Sequence, residues 1–131
     1  MATEMAVWTD AMPEGDRRKA FSRPVDLVHL SRYTLGDRAL EREVLELFCV
    51  QSAIYVDRLR AASSDKEWTD AAHSLKGSAR AIGAWRAAAA AEDAEALSGE
   101  GTAQARASRL HDIDASLNEA RACIGALLAD R

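Results

Sequence analysis

Long apolar runs are missing from this sequence. No stretch approaches the ~18 consecutive apolar residues that read as a membrane-spanning helix. The opening residues Met1-Ala2-Thr3-Glu4-Met5 carry neither the basic start nor the apolar stretch of a secretory signal. A cytoplasmic protein without membrane contact is expected. Cysteine is scarce: Cys49 and Cys123 lie far apart and form no CxxC pair. A disulfide framework is excluded, and each cysteine, set in an apolar helical pattern, reads as a reduced thiol packed as a small hydrophobe. Aromatics amount to 5%. β-Branched residues are few and alanine is abundant, which favours helix over strand. There is no basic stripe, and the formal net charge is −4, so nucleic acid is a poor candidate partner. No glycine-rich nucleotide loop is present, so the chain is not expected to bind ATP or to phosphorylate itself. No His/Cys/Asp cluster has metal-ligand spacing; His111-Asp112-Ile113-Asp114 is too weak a set, and no bound cofactor is expected.

What is there fits one helical domain. The 131 residues, 48% hydrophobic and 29% charged, suffice for one real core and are tight for two. Residues 1–23 are weakly patterned, with Pro13, Gly15 and charges over 16–19, and read as a flexible leader. Residues 24–131 read as the domain. Pro24 suits a helix start, and 25–33 reads as a short first helix with Leu27 and Leu30 inward. Leu35-Gly36-Asp37 breaks it, with Asp37 as the next N-cap. A long second helix covers 38–62. Its expected inward stripe is Leu40, Val44, Leu47, Phe48, Tyr55, Leu59 and Ala62, with Gln51 interrupting it. Ser64-Asp65-Lys66-Glu67 is a capping box that opens a third helix to about residue 82, with Gly83 placed to end it. An alanine-rich fourth helix covers 84–97. Ser98-Gly99-Glu100-Gly101 is a turn. A last helix covers 102–129, with Ala103, Leu110, Leu117, Ile124 and Leu128 as its seam. The expected fold is all-α: an antiparallel four-helix bundle with an additional short N-terminal helix.

The third helix carries the candidate chemistry. At about 100° per residue, Trp68, Ala72, Leu75, Ala79 and Ile82 share one side. His73, Lys76, Gly77 and Arg80 fall nearly opposite, so His73 is expected to be exposed on a well-anchored helix. A mid-helix glycine costs roughly 0.5–1 kcal/mol relative to alanine. In a chain that uses alanine so freely, Gly77 points to a need for clearance, since a side chain there would crowd the space beside the imidazole. Lys76 can reach back along the same face to neutralise a phosphoryl group on the ring, and Arg80 adds positive charge farther along. A neutral imidazole near pH 7 is a usable nucleophile. Ser74 and Ser78 beside it lack the third member of a nucleophilic triad. His29 and His111 lack this neighbourhood and read as surface histidines without a role.

The string His73-Ser74-Leu75-Lys76-Gly77-Ser78-Ala79, followed by Ile82-Gly83, resembles the signature of the histidine phosphotransfer family. In that family lysine follows the histidine at three residues, glycine at four, and a second glycine about ten residues on. The resemblance, which covers about residues 25–130, implies a four-helix core with the histidine exposed near the middle of one helix. It implies a phosphocarrier rather than an enzyme, exchanging phosphoryl groups with receiver-domain aspartates in a multistep phosphorelay. The magnesium ion would be bound by the receiver and not by this chain. Implied partners are response-regulator receiver domains and a hybrid sensor kinase, met by a monomer. His73 would be the phosphoacceptor, with Lys76 and Gly77 beside it and Arg80 assisting docking.

At 1.5 Å rise per residue, positions ten to twelve beyond the Gly83 turn return to the height of His73. These are Asp93 and Glu95. The family position that orients the ring, where glutamine is frequent, corresponds to Glu95. A carboxylate there accepts the Nδ1–H and leaves Nε2 free, but also adds negative charge beside a phosphoryl group; a solvated helix-face carboxylate is an equal alternative. Two other functions suit a helical bundle with an outward histidine. A non-catalytic adaptor that binds a response regulator is disfavoured by an intact His73. The dimeric phosphoacceptor domain of a sensor kinase calls for an acidic residue after the histidine and a proline a few residues on, which Ser74 and Arg80 do not match.

Overall fold

The computed structural model describes residues 23–97 and 103–130, which form five helices and no strand. These are α1 Leu27–Thr34, α2 Arg38–Ala61, α3 Asp65–Ala81, α4 Trp85–Glu95 and α5 Ala103–Ala129. The leader expected over 1–23 falls outside the described residues except for Arg23, and so does the turn expected at Ser98–Gly101.

Each helix boundary has a local cause. α1 starts two residues later than expected, because Asp26 rather than Pro24 marks its start. The Asp26 carboxylate caps His29 N–H at 3.2 Å and accepts Trp85 Nε1–H at 3.0 Å. α1 ends at Leu35, which takes a left-handed conformation, and Asp37 then caps α2 through Leu40 N–H at 3.0 Å. Ser64 caps α3 as expected, accepting from Glu67 N–H. The return bond of the capping box goes to Ser63 N–H, at 2.9 Å, instead of to the cap residue itself. At the far end of α3, Ala84 N–H bonds Ala79 O and Gly83 N–H bonds Arg80 O. This is a Schellman ending, with Gly83 supplying the left-handed residue at φ 74°.

Links of three residues between α2 and α3, and between α3 and α4, force these neighbours antiparallel. α5 packs on both α4 and α2 and so closes a four-helix bundle, while α1 lies against the start of α2. The core joins Phe48, Leu45 and Val56 of α2, Trp68 and Leu75 of α3, and Ile113, Leu117 and Ile124 of α5. α4 adds Ala87, Ala88, Ala91 and Ala94, all buried. Their small side chains bring α3 and α4 close enough for Trp68 Nε1–H to reach Ala94 O at 2.7 Å. Cys49 and Cys123 are free, half-buried thiols packed against this core.

Two expected stripes need correction. On α2 the buried line is Glu41, Leu45, Phe48, Ser52, Val56 and Leu59. Leu40 and Leu47 face solvent, and Val44 and Tyr55 are only half-buried. The true line admits two polar residues because each has a partner. Glu41 accepts from Thr34 Oγ1 at 2.9 Å, and Ser52 Oγ accepts from Arg121 at 3.1 Å. On α5 the seam is Ile113, Leu117, Ala120 and Ile124. Ala103 is exposed and Leu110 half-buried.

Candidate functional site

Trp68, Ala72, Leu75, Ala79 and Ile82 are all buried, so α3 is fixed in rotation as its pattern predicts. His73 therefore stands outward, with 52% of its side chain exposed. α4 runs antiparallel beside it and returns Glu95 to its height. Glu95 Oε2 lies 2.7 Å from His73 Nδ1, and Glu95 Oε1 lies 2.6 Å from Lys76 Nζ. An ionised carboxylate only accepts, so the Nδ1 contact is made with a proton on Nδ1. In the neutral ring, that leaves the lone pair on Nε2. Asp93, the other residue expected at this height, is exposed.

Lys76 is not on the open face as expected. Its side chain is 5% exposed and its ammonium is held by Glu95. Arg80 likewise turns toward α4, where Glu92 lies 3.7 Å away, and is only 15% exposed. A helix wheel of α3 alone gives the direction of each Cα–Cβ bond. It does not show that long cationic side chains will bend toward acids on the neighbouring helix. Burial of Glu95 pushes its carboxyl pKa up, but the hydrogen bonds and charges of Lys76 and His73 outweigh this and hold it below the usual carboxylate range.

Gly77 is exposed, and a Cβ placed there meets nothing within 4 Å. The expected crowding of the imidazole therefore does not arise within this chain; any clearance it gives is toward a body outside it. The opposite flank of His73 is an open groove of about 440 Å³ between α2 and α3. Val44, Leu47, Phe48 and Tyr55 line it from α2, and His73 and Gly77 from α3. Beyond it, α2 exposes Val50 and Ile54 as well as Leu47. Sequence reasoning placed Leu47 in the core and overlooked the other two. The available signal was the seven-residue step Leu40, Leu47, Ile54, which is a second apolar line beside the core line.

His29 also departs from expectation. It is half-buried, edge-on to both Tyr33 and Trp85 at centroid distances of 5.1 and 4.7 Å. Burial lowers its pKa, against the opposing charge of Asp26. His111 is exposed. Among the described residues no group of three or more His, Cys, Asp or Glu side chains is arranged to hold a metal ion, and no helix is long and apolar enough to cross a membrane.

A family model described as the Hpt domain matches residues 43–126. The chain belongs to the Hpt domain family. The match runs from the first turns of α2 into the last turns of α5 and takes in His73, Lys76, Gly77, Gly83 and Glu95. α1 lies outside it. No curated protein and no solved structure matches the chain. Hpt domains serve histidine phosphotransfer in phosphorelays, as phosphocarriers rather than enzymes. The all-α bundle with an outward histidine on an anchored helix is consistent with that membership.

Proposed function

We propose that this Hpt domain carries a phosphoryl group on Nε2 of His73 and exchanges it with the aspartates of response-regulator receiver domains, one of them belonging to a hybrid sensor kinase. The observation that carries the reading is the pairing of an exposed ring with a carboxylate at 2.7 Å from Nδ1. In the forward step the Nε2 lone pair attacks phosphorus and the N–P bond forms. The P–O bond to the receiver aspartate breaks, and that carboxylate leaves with the electron pair. Positive charge grows on the ring as the N–P bond forms, and Glu95 faces the nitrogen that shares it. The reverse step regenerates the free imidazole.

The receiver supplies the magnesium ion and most of the remaining catalytic groups; this chain supplies the nucleophile, its orientation and a landing surface. Gly77 leaves that surface flat beside the ring, and the apolar groove with Leu47, Val50 and Ile54 gives a partner something to bury. Arg80, turned toward Glu92, assists docking only at the edge of this surface. The domain acts as a cytoplasmic monomer and is not an autokinase.

The test is transfer of labelled phosphate from a phosphorylated receiver domain, with His73→Gln alongside. Label should reach the native chain, stable to base and labile to acid, and should not reach the variant. Binding of competent receivers without any transfer would replace this reading with the non-catalytic adaptor.

A further inference from the structure

The groove beside His73 has two ends. Tyr55, His73 and Ser74 line one, and Val44, Ala81 and Ile82 line the other. The second end is where the chain enters the fold. Asp26 N–H bonds Gly83 O at 3.0 Å, and Gly83 directly follows Ile82. Residues 1–22, outside the described residues, are therefore tethered at the mouth of the groove. From Ile82 back to His73 is about 14 Å of helical chain. Residues 13–22 can span up to about 33 Å when extended, so residues 5–12 can reach any point along the groove.

The sequence of that segment suits the groove. The three methionines of the chain stand at 1, 5 and 12, and the domain itself has none. Met5, Trp8 and Met12 recur at three- and four-residue spacing, which on a helix puts them within about 60° of one another. Thr3 and Asp10 would fall on the far side. Methionine adapts to irregular apolar surface, and tryptophan is a strong anchor with one N–H to satisfy. The groove presents Val44, Leu47 and Phe48 to the first, and Gln51 and Ser74 as acceptors for the second. The tether carries Arg17, Arg18 and Lys19, and Glu43 stands exposed one turn before Leu47. α1 also exposes Val28 and Tyr33, but these lie about 140° apart round their helix and share no face.

We propose that Met5, Trp8 and Met12 dock in the α2–α3 groove of the free chain and cover the approach to His73, so that the leader must leave before a receiver can land. The docking stands on its own; its consequence for the receiver rests on the phosphocarrier reading. A short tether holds the segment at an effective concentration in the millimolar range, so a weak contact is enough.

The experiment is methyl and amide NMR of the full, unphosphorylated chain. Wild type, Trp8→Asp, Trp8→Phe and Thr3→Ala are compared at two concentrations, with sedimentation velocity alongside. In wild type the Trp8 indole protons should show nuclear Overhauser contacts to the methyls of Val44 and Leu47. Trp8→Asp should shift the Val44, Leu47 and His73 signals and leave the core methyls of Ile113 and Leu117 unmoved. Trp8→Phe should restore most of the wild-type pattern, and Thr3→Ala should keep all of it. A competent receiver should bind Trp8→Asp about threefold more tightly than wild type, the gain from uncovering a groove closed two-thirds of the time.

Identical groove signals in wild type and Trp8→Asp would overturn the docking. So would shifts confined to Val28, Tyr33 and Leu35, which would put the leader on α1. Shifts that grow with concentration as dimers form would make the occupant a second copy and overturn it too. Equal receiver affinity for wild type and Trp8→Asp, with the contacts present, would overturn the covering role. The NMR arm needs neither phosphate nor partner. Leader contacts present without any phosphoryl transfer would sink the phosphocarrier reading alone, whereas transfer intact without leader contacts would sink only the docking.

Discussion

Gly83 and Asp26 touch at the point where α1 meets the α3–α4 turn. A Cβ on Gly83 would lie 2.7 Å from Asp26 Cβ and 2.9 Å from its carbonyl oxygen. Asp26 N–H in turn bonds Gly83 O at 3.0 Å. The glycine thus has two duties, a left-handed backbone and a close approach. Gly36 has only the first: its φ is 80° and nothing lies within 4 Å of a Cβ there. Gly36→Ala should cost about 1 kcal/mol for the left-handed conformation. Gly83→Ala should cost about 2–4 kcal/mol, because the Asp26 backbone must move as well. Urea denaturation of the two variants checks this, and equal losses would show that the contact contributes nothing.

Gly77 makes the opposite prediction. It sits in mid-helix with open space around it, so alanine should stabilise the free chain by about 0.5–1 kcal/mol through helix propensity. If the flat surface serves a docking partner, the same change should slow phosphoryl transfer, and Gly77→Gln should slow it further. Thermal melts and transfer rates measured on the same preparations separate the two effects. A rise in stability with no loss of transfer would remove Gly77 from the site.

The sequence made α3 legible because its core residues are large or unambiguous and recur at strict helical spacing. Trp68, Leu75 and Ile82 fix the rotation, and the exposure of His73 follows. α2 misled for a physical reason. It carries two apolar lines, one buried and one facing solvent, and the buried line is interrupted by Glu41 and Ser52. The cleaner-looking line, through Leu40 and Leu47, is the exposed one. Partners from other helices, Thr34 and Arg121, are what make the polar positions tolerable in the core. Cα direction alone does not place the ends of Lys76 and Arg80; Glu95 and Glu92, which lie 19 and 12 residues farther along the chain, decide where these side chains end. Glu95 itself was reachable from the rise per residue around the Gly83 turn.

The exposed line on α2 should matter for docking and not for folding. Leu47 is 53% exposed and borders the His73 groove. Leu47→Asp places a charge where a partner would bury an apolar side chain, which at an interface hot spot costs 2 kcal/mol or more, about thirtyfold in affinity. The melting temperature should move little, since surface substitutions usually lie within about 0.5 kcal/mol. Calorimetric titration with a competent receiver, alongside a thermal melt, reads both. Unchanged affinity would place the partner on another face.

Acidification should weaken the fold through His29 before it reaches Glu95. Burial between Tyr33 and Trp85 lowers the His29 pKa below its ordinary 6.5, so the unfolded chain binds this proton more tightly than the folded one. Stability from His29 is therefore complete above the unfolded value and is lost as pH falls through the lowered folded value. The Glu95 carboxyl is also held below its ordinary value, 4.5, so its contribution is complete above that value and drains away as pH falls through the folded one. Two separate losses are expected on the way down, first at the α1 contact and then at the His73 site. Urea midpoints should fall in wild type as pH drops through and below the ordinary His29 value of 6.5, and His29→Gln should remove most of that slope while leaving the loss below the ordinary Glu95 value of 4.5 in place. A slope in the upper window that survives His29→Gln would assign it to another group and leave the α1 contact without a titrating partner.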